Sequence, residues 1–122
     1  MKSHLQSHLQ SLQQIPGVLG SMVMTEDGMV VVSDLGPGLD SETLAAITSG
    51  ARLCIHRAAI QSGDGQPHEI VLEGTSGNLV LLEIGEATLI VVTHAGLEMN
   101  SGMLEIRSVA RKLRGILEIQ AS

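Results

Sequence analysis

Residues 79–93 read LVLLEIGEATLIVVT, two aliphatic runs on either side of a short Gly85-Glu86 turn. A strand with one face in water alternates apolar and polar residues, whereas Leu79–Leu82 and Leu89–Val92 are apolar without interruption. We therefore expect two neighbouring strands in a sheet that is covered on both faces. Because the connection between them is so short, the two strands must be antiparallel.

The flanking sequence supplies three more strands, in which β-branched and aliphatic residues are bounded by turn residues. The turn at Gly74–Gly77 is too short for a parallel connection, and Asp27-Gly28 is a pair typical of β-hairpins. The sequence thus predicts one hairpin and one three-stranded meander, with strands over Val18–Met24, Met29–Leu35, His68–Glu73, Asn78–Ile84 and Ala87–Thr93.

Three helices are predicted around these strands, each from apolar residues that recur at helical spacing. Pro16-Gly17 ends the first helix, and Asp40 offers an N-cap oxygen to the second. The helices are expected over Lys2–Gln14, over Asp40–Gln61 and in a C-terminal segment that follows Gly96. The order is helix, two strands, helix, three strands, helix, and we expect residues 1–122 to form a single α/β domain.

The C-terminal helix has Asn100 or Ser101 as its expected N-cap, and Gly115 is expected to end or fray it early. Its cations are interpreted as a solvated face that complements the negative end of the helix dipole. They are Arg107, Arg111, Lys112 and Arg114.

The second helix carries two apolar stripes where a monomer needs only one. The stripe expected to pack on the sheet comprises Leu44, Ile47, Ala51, Cys54, Ile55 and Ala58. The other stripe lies well away from it around the helix and comprises Ala46, Gly50, Leu53 and Ile60. The second stripe predicts a surface that is covered by another protein.

Composition excludes several classes of function. The chain has 7 Lys and Arg against 13 Asp and Glu, a net charge of −6, and no aromatic residue for base stacking, so nucleic acid is not expected as a partner. Its apolar runs are strand-length and its amphipathic start lacks a signal-peptide core, so neither membrane insertion nor export is expected. Cys54 is the only cysteine, so no internal disulfide can form, and we expect it to be a small buried hydrophobe. These features favour a cytoplasmic protein.

No catalytic set is recognisable in the sequence. His4 and His8 have the spacing of a metal-binding pair on a helix, but no third ligand is evident, so we interpret them as solvent-facing. Cys54 and His56 are two residues apart on a helix and point to different sides, which argues against a nucleophilic pair. No phosphate-binding or dinucleotide-binding glycine motif is present. We therefore expect no enzyme activity, no metal and no cofactor.

The chain resembles the Roadblock domain family, named for a dynein light chain and widespread in bacteria and archaea. The resemblance covers almost the whole chain and rests on the order of elements together with structural glycines and apolar strands. The residues that carry it are Ile15-Pro16-Gly17-Val18, Asp27-Gly28, Leu72-Glu73-Gly74, Leu79–Leu82 and Leu89–Thr93. It implies a five-stranded antiparallel sheet with helix 2 on one face and helices 1 and 3 on the other. It also implies a homodimer in which the two copies of helix 2 pack together and the third strands pair into one continuous sheet.

The same resemblance implies a regulator of a small Ras-like GTPase or a scaffold subunit of a larger assembly. A third possibility is a ligand sensor or enzyme that uses a pocket between helix and sheet. The residues expected at the homodimer interface are Ala46, Gly50, Leu53, Arg57, Ile60, His68, Ile70 and Leu72. Those expected to contact the GTPase are Ser49, Arg52 and His56.

Overall fold

The computed structural model describes residues 2–63, 65 and 67–121, and the elements follow the predicted order. Predicted and observed boundaries differ only at the ends of the elements. The helices are α1 (Lys2–Gln13), α2 (Ser41–Ser62) and α3 (Met99–Ala121). The strands are β1 (Val18–Thr25), β2 (Val30–Leu35), β3 (Glu69–Glu73), β4 (Gly77–Glu83) and β5 (Ala87–His94).

The five strands form one antiparallel sheet in the order β2-β1-β5-β4-β3. The β1–β2 hairpin turns at Gly28, whose φ of 86° is strained for any residue with a side chain. The hairpin joins the β3–β4–β5 meander through β1 and β5, where Met22 is opposite Ile90. The sheet therefore has two free edges, one at β2 and one at β3.

The two faces of the sheet are covered by different helices, as the resemblance implies. Val80 and Leu82 of β4 point into a large core shared with α1 and α3. Leu81, between them, points to the other face and packs in a smaller cluster with Ala45 of α2. This alternation explains why the segment Leu79–Leu82 is apolar at every position.

The N-cap predicted for α3 is wrong. The helix begins at Met99, and the carboxylate of Glu98 accepts the backbone N–H of Ser101 at 3.0 Å. Neither Asn100 nor Ser101 is the cap, because Glu98 already supplies a capping oxygen one turn earlier. The prediction that Gly115 ends the helix is also wrong, because α3 continues to Ala121. Ile116 and Leu117 pack against the core, which offsets the weak helix propensity of glycine.

Candidate interaction surface

Helix α2 contributes little to the interior of its own chain. Of its 22 residues, only Ala45 and Thr48 are buried. Both side chains are short, so the helix can lie close to the sheet where Met22 and Met24 project. The Asp40 carboxylate caps the helix by accepting hydrogen bonds from the hydroxyl of Thr43 at 2.7 Å and from its backbone N–H at 2.9 Å, and both lower the pKa of the Asp40 carboxyl.

The stripe predicted to pack on the sheet is only partly correct. Leu44, Ala51 and Ile55 are half-buried, but the other three members, Ile47, Cys54 and Ala58, are exposed. The helix is turned from the predicted orientation because the small side chains at positions 45 and 48 face the sheet. Cys54, expected in the core, is an exposed thiol. Ala46 and Ser49 are a second pair of small side chains at the same spacing, so the local sequence does not identify the inner face.

The second stripe and the misassigned residues together make one broad aliphatic surface, which we call the outer face of α2. Ile47, Leu53 and Ile60 are 59%, 50% and 57% exposed. The outer face consists of Ala46, Ile47, Gly50, Leu53, Cys54, Ala58 and Ile60. A group of exposed apolar side chains on one side of a helix is typical of a contact surface, whereas single scattered apolar residues are not.

Gly50 lies in the middle of the outer face and has no role in the packing of its own chain. A Cβ atom built on Gly50 would meet nothing within 4 Å. Glycine within a helix is less stable than alanine by about 1 kcal/mol, so the position is unfavourable for an isolated chain. A second backbone that approaches the helix closely at this point would account for it.

The edge strand β3 continues the exposed apolar area. Val71 and Leu72 are 36% and 40% exposed, and Ile70 is half-buried against the cluster under α2. His68 precedes the strand, with its Nδ1 atom 3.0 Å from Oε2 of Glu83. The backbone of β3 is paired only with β4, which leaves its other side open to a further strand.

Glu69 and Arg107 tie the free edge of β3 to α3. The guanidinium of Arg107 donates two hydrogen bonds to the Glu69 carboxylate, at 2.9 and 2.7 Å. These hydrogen bonds lower the pKa of Glu69, and partial burial of the carboxyl opposes the shift. The N-terminal end of β3 is thus held by α3, which lies on the face of the sheet opposite α2.

A cleft of about 460 Å³ opens between α2, the tip of the β1–β2 hairpin and the start of β3. All three residues predicted to contact a GTPase line it, so the fold brings Ser49, Arg52 and His56 together. Its lining is Glu26, Asp27, Ser49, Arg52, Leu53, His56, Pro67, Ile70 and Glu83. Leu53 and Ile70, both predicted at the dimer interface, connect the cleft to the outer face of α2 and to β3.

Sequence reasoning missed the carboxylates of this cleft. Glu26 and Asp27 were assigned only to a turn, yet the turn stands beside α2 and points them at the cleft. The Thr25 hydroxyl donates to the Asp27 carboxylate, which fixes the tip of the hairpin. Nothing in the local sequence indicates that a hairpin tip and a helix distant along the chain will meet.

His4 and His8, the candidate metal pair, are not joined by further ligands in the described part of the structure. His4 is exposed and His8 is half-buried on α1. Among the described residues there is no group of three or more His, Cys, Asp or Glu side chains placed to hold a metal ion. The cleft beside α2 contains one guanidinium, one imidazole and three carboxylates, an arrangement that suits recognition of a polar protein surface.

Comparison with known proteins identifies the family. The model of the Roadblock/LC7 domain matches residues 5–94. The chain belongs to the Roadblock/LC7 family. This Roadblock/LC7 domain is 30% identical over 108 residues to an uncharacterized protein of Methanocaldococcus jannaschii, covering 88% of the chain and 95% of that protein.

Solved structures share the fold of this Roadblock/LC7 domain. A Roadblock/LC7 domain from Streptomyces avermitilis superposes with a TM-score of 0.80 at 24% identity, over 92% of this chain and 96% of that chain. MglB of Myxococcus xanthus superposes with a TM-score of 0.87 at 18% identity, over 96% of this chain and 90% of that chain. In the described part of the domain, none of the helices combines the length and the apolar content needed to cross a bilayer.

Proposed function

We propose that this Roadblock/LC7 domain is a cytoplasmic, non-catalytic homodimer that regulates a small Ras-like GTPase or connects it to other proteins. The observation that carries the proposal is the outer face of α2, an aliphatic surface that the chain itself leaves uncovered. The family to which the chain belongs is generally non-catalytic. As the resemblance implies, its members act on small GTPases or as subunits of larger assemblies.

The first step of the proposal is the homodimer. The outer face of α2 packs against its copy, with Gly50 at the closest approach of the two helices. The open side of β3 pairs with the β3 of the second chain, which satisfies backbone groups that are otherwise unpaired. The contact residues in each chain are Ala46, Gly50, Leu53, Arg57, Ile60, His68, Ile70 and Leu72.

The second step is the GTPase contact. Ser49, Arg52 and His56 lie on the side of α2 that faces the hairpin, next to the proposed dimer interface. Arg52 forms no ion pair within the described part of the chain, so its five N–H donors are available to a partner. A binding protein shifts the GTPase between its nucleotide states only when it binds the two states with unequal affinity.

Binding to both nucleotide states tests the proposal directly. Small GTPases of the source organism are loaded with GDP or with a non-hydrolysable GTP analogue, and the dissociation constant of each for the purified domain is measured by calorimetry. We expect one GTPase to bind its two states unequally, and Arg52→Ala to weaken the tighter complex. Arg114→Ala, on the opposite face of the sheet, is the matched control and should leave both constants unchanged. Equal or absent binding to every such GTPase contradicts the proposal.

A scaffold subunit without nucleotide dependence is the alternative function. The almost wholly aliphatic character of the outer face of α2 favours it, because permanent interfaces are more apolar than transient ones. Stoichiometric co-purification with proteins that are not GTPases, and no change in that complex on nucleotide exchange, would support the scaffold over the regulator.

A further inference from the structure

The cations of the chain are concentrated on α3, away from the surface described above. Four of the seven Lys and Arg residues fall within residues 107–114, although the chain as a whole carries a net charge of −6. Helix α3 lies with α1 on the face of the sheet opposite α2. Helix α3 therefore carries the largest group of cations on an acidic chain.

These cations are exposed, as predicted, but their interpretation as partners of the helix dipole is wrong. Helix α3 runs from Met99 to Ala121 and has no basic residue in its last turn. Arg114 is the last of the four, well before the end of the helix, and the effect of the dipole falls off within the last turn. The cations sit in the middle turns, where the dipole does not explain them.

Ion pairs among the described residues account for two of the four cations. Arg107 is bound to Glu69, and Arg114 lies 3.7 Å from Glu118 on the next turn. Arg111 and Lys112 are exposed and pair with no carboxylate in the described part of the chain. They are the cations available for a partner.

Two exposed aliphatic residues flank the unpaired cations on the same side of α3. Leu104 is 67% exposed and Ile119 is 73% exposed. Leu104 lies seven residues before Arg111 and Ile119 lies eight residues after it, spacings that place all three on one face of a helix. We call Leu104, Arg111, Lys112 and Ile119 the α3 patch.

We propose that the α3 patch binds an acidic protein segment with aliphatic residues among its carboxylates. The guanidinium of Arg111 and the ammonium of Lys112 pair with the carboxylates, and Leu104 and Ile119 contact the aliphatic side chains. Because α2 lies on the other face of the sheet, this segment and the partners at α2 can be bound at the same time. The patch is thus a second surface, independent of the proposed GTPase contact.

The charge and shape of the domain favour an acidic protein over the other anionic partners. Anionic lipid surfaces are recognised by clusters of about four to eight basic residues, whereas the α3 patch offers two. The apolar side of α3, including Ile106 and Leu113, is buried in the core and cannot enter a bilayer. Nucleic acid is disfavoured by the overall negative charge and by the lack of aromatic residues.

A pair of model peptides tests the proposal on the intact domain. A fluorescent peptide of alternating Glu and Leu is titrated with the domain at low salt, and binding is followed by anisotropy. A Lys/Leu peptide of the same length controls for charge sign, and vesicles of phosphatidylserine and phosphatidylcholine control for lipid. We expect salt-sensitive binding of the Glu/Leu peptide alone, and about a tenfold loss of affinity in the double variant R111Q/K112Q.

The double variant T75E/S76E is the matched control, because it changes the net charge by the same amount at two exposed turn residues outside the α3 patch and the proposed α2 contacts. It should bind the Glu/Leu peptide as the unchanged domain does, while circular dichroism shows that both variants are folded. An equal loss in both variants overturns the proposal, since binding would then follow net charge alone. Absence of Glu/Leu binding, or binding to vesicles instead of the peptide, also overturns it. None of these outcomes depends on whether the domain binds a GTPase.

Discussion

The two faces of the sheet are covered by helices with the same kinds of aliphatic residues, but these residues are buried on one face and exposed on the other. On one face, Leu5, Leu9 and Leu12 of α1 are fully buried against the sheet and α3. On the other face, Ile47, Leu53 and Ile60 of α2 are each half or more exposed. The chain completes its first face by itself, whereas the second face holds apolar surface that its own fold does not use. Folding and association are thus assigned to opposite sides of one thin sheet.

The largest expected effect is on the completed face. Leu9→Ala leaves a cavity between α1 and the sheet and should lower the free energy of unfolding by about 3 kcal/mol. Leu53→Ala, the matched change on α2, should alter the unfolding of the isolated chain by less than about 1 kcal/mol, because half of the side chain is already in water. Urea denaturation at a concentration where the chain is monomeric measures both. Similar losses in the two variants would break the distinction between the faces.

A charge on the outer face of α2 is expected to separate folding from association. Leu53→Asp should raise the dissociation constant of the homodimer about a hundredfold, because an unpaired carboxylate would be buried in each copy of the interface. Sedimentation velocity gives the constant, and circular dichroism shows whether the monomer stays folded. The control is Glu86→Lys, an exposed turn residue outside the proposed interface. If Leu53→Asp leaves the mass and the constant unchanged, the outer face of α2 is not the dimer interface.

Substitutions at Gly50 sharpen the comparison further, because one should stabilise the isolated chain and the other should weaken the homodimer. Gly50→Ala should stabilise the isolated chain by about 0.5–1 kcal/mol through helix propensity, since nothing in the chain crowds the position. Gly50→Leu should weaken the homodimer about tenfold, because the larger side chain keeps the paired helices apart. Light scattering over a dilution series reads association, and thermal melting reads the stability of the chain. An unchanged dimer in Gly50→Leu contradicts close pairing at this residue.

The sequence was sufficient for the fold but not for the orientation of α2. Uninterrupted apolar runs and short turns are local signals, and they predicted the strands, their antiparallel meander and the need for cover on both faces. The rotation of α2 depends on which of several aliphatic residues lie opposite Met22 and Met24, which local periodicity does not determine. Ile47 and Cys54 were therefore placed on the wrong side, although Leu53 and Ile60 were placed correctly as exposed.

The candidate site was predictable only in the part that α2 supplies. Ser49, Arg52 and His56 were expected at a partner contact on the basis of the family resemblance, and the structure places them in one cleft. The carboxylates of Glu26 and Glu83 come from a hairpin tip and from the end of β4, so their approach to α2 is a product of tertiary packing. Charge reversal at Glu26 would test whether these carboxylates take part in partner binding.

The smallest expected effect concerns the ion pair that holds the edge of β3 to the completed face. Hydrogen bonds from Arg107 lower the pKa of the Glu69 carboxyl, so the folded chain binds a proton at this site less readily than the unfolded chain does. The stabilisation is complete above the ordinary pKa of glutamate and is lost as the pH falls through the lowered pKa of the folded state. Arg107→Gln should therefore lower the urea midpoint slightly at neutral pH and leave it unchanged in acid.

Arg114→Gln is the control for this ion pair, because its carboxylate partner is 3.7 Å away on the same helix and links no second element. It should show no comparable dependence on pH. If Arg107→Gln lowers the urea midpoint by the same amount in acid as at neutral pH, the Glu69 contact does not stabilise the fold through its charge. In that case β3 would be held mainly by its pairing with β4, and its free edge would depend still more on the second chain.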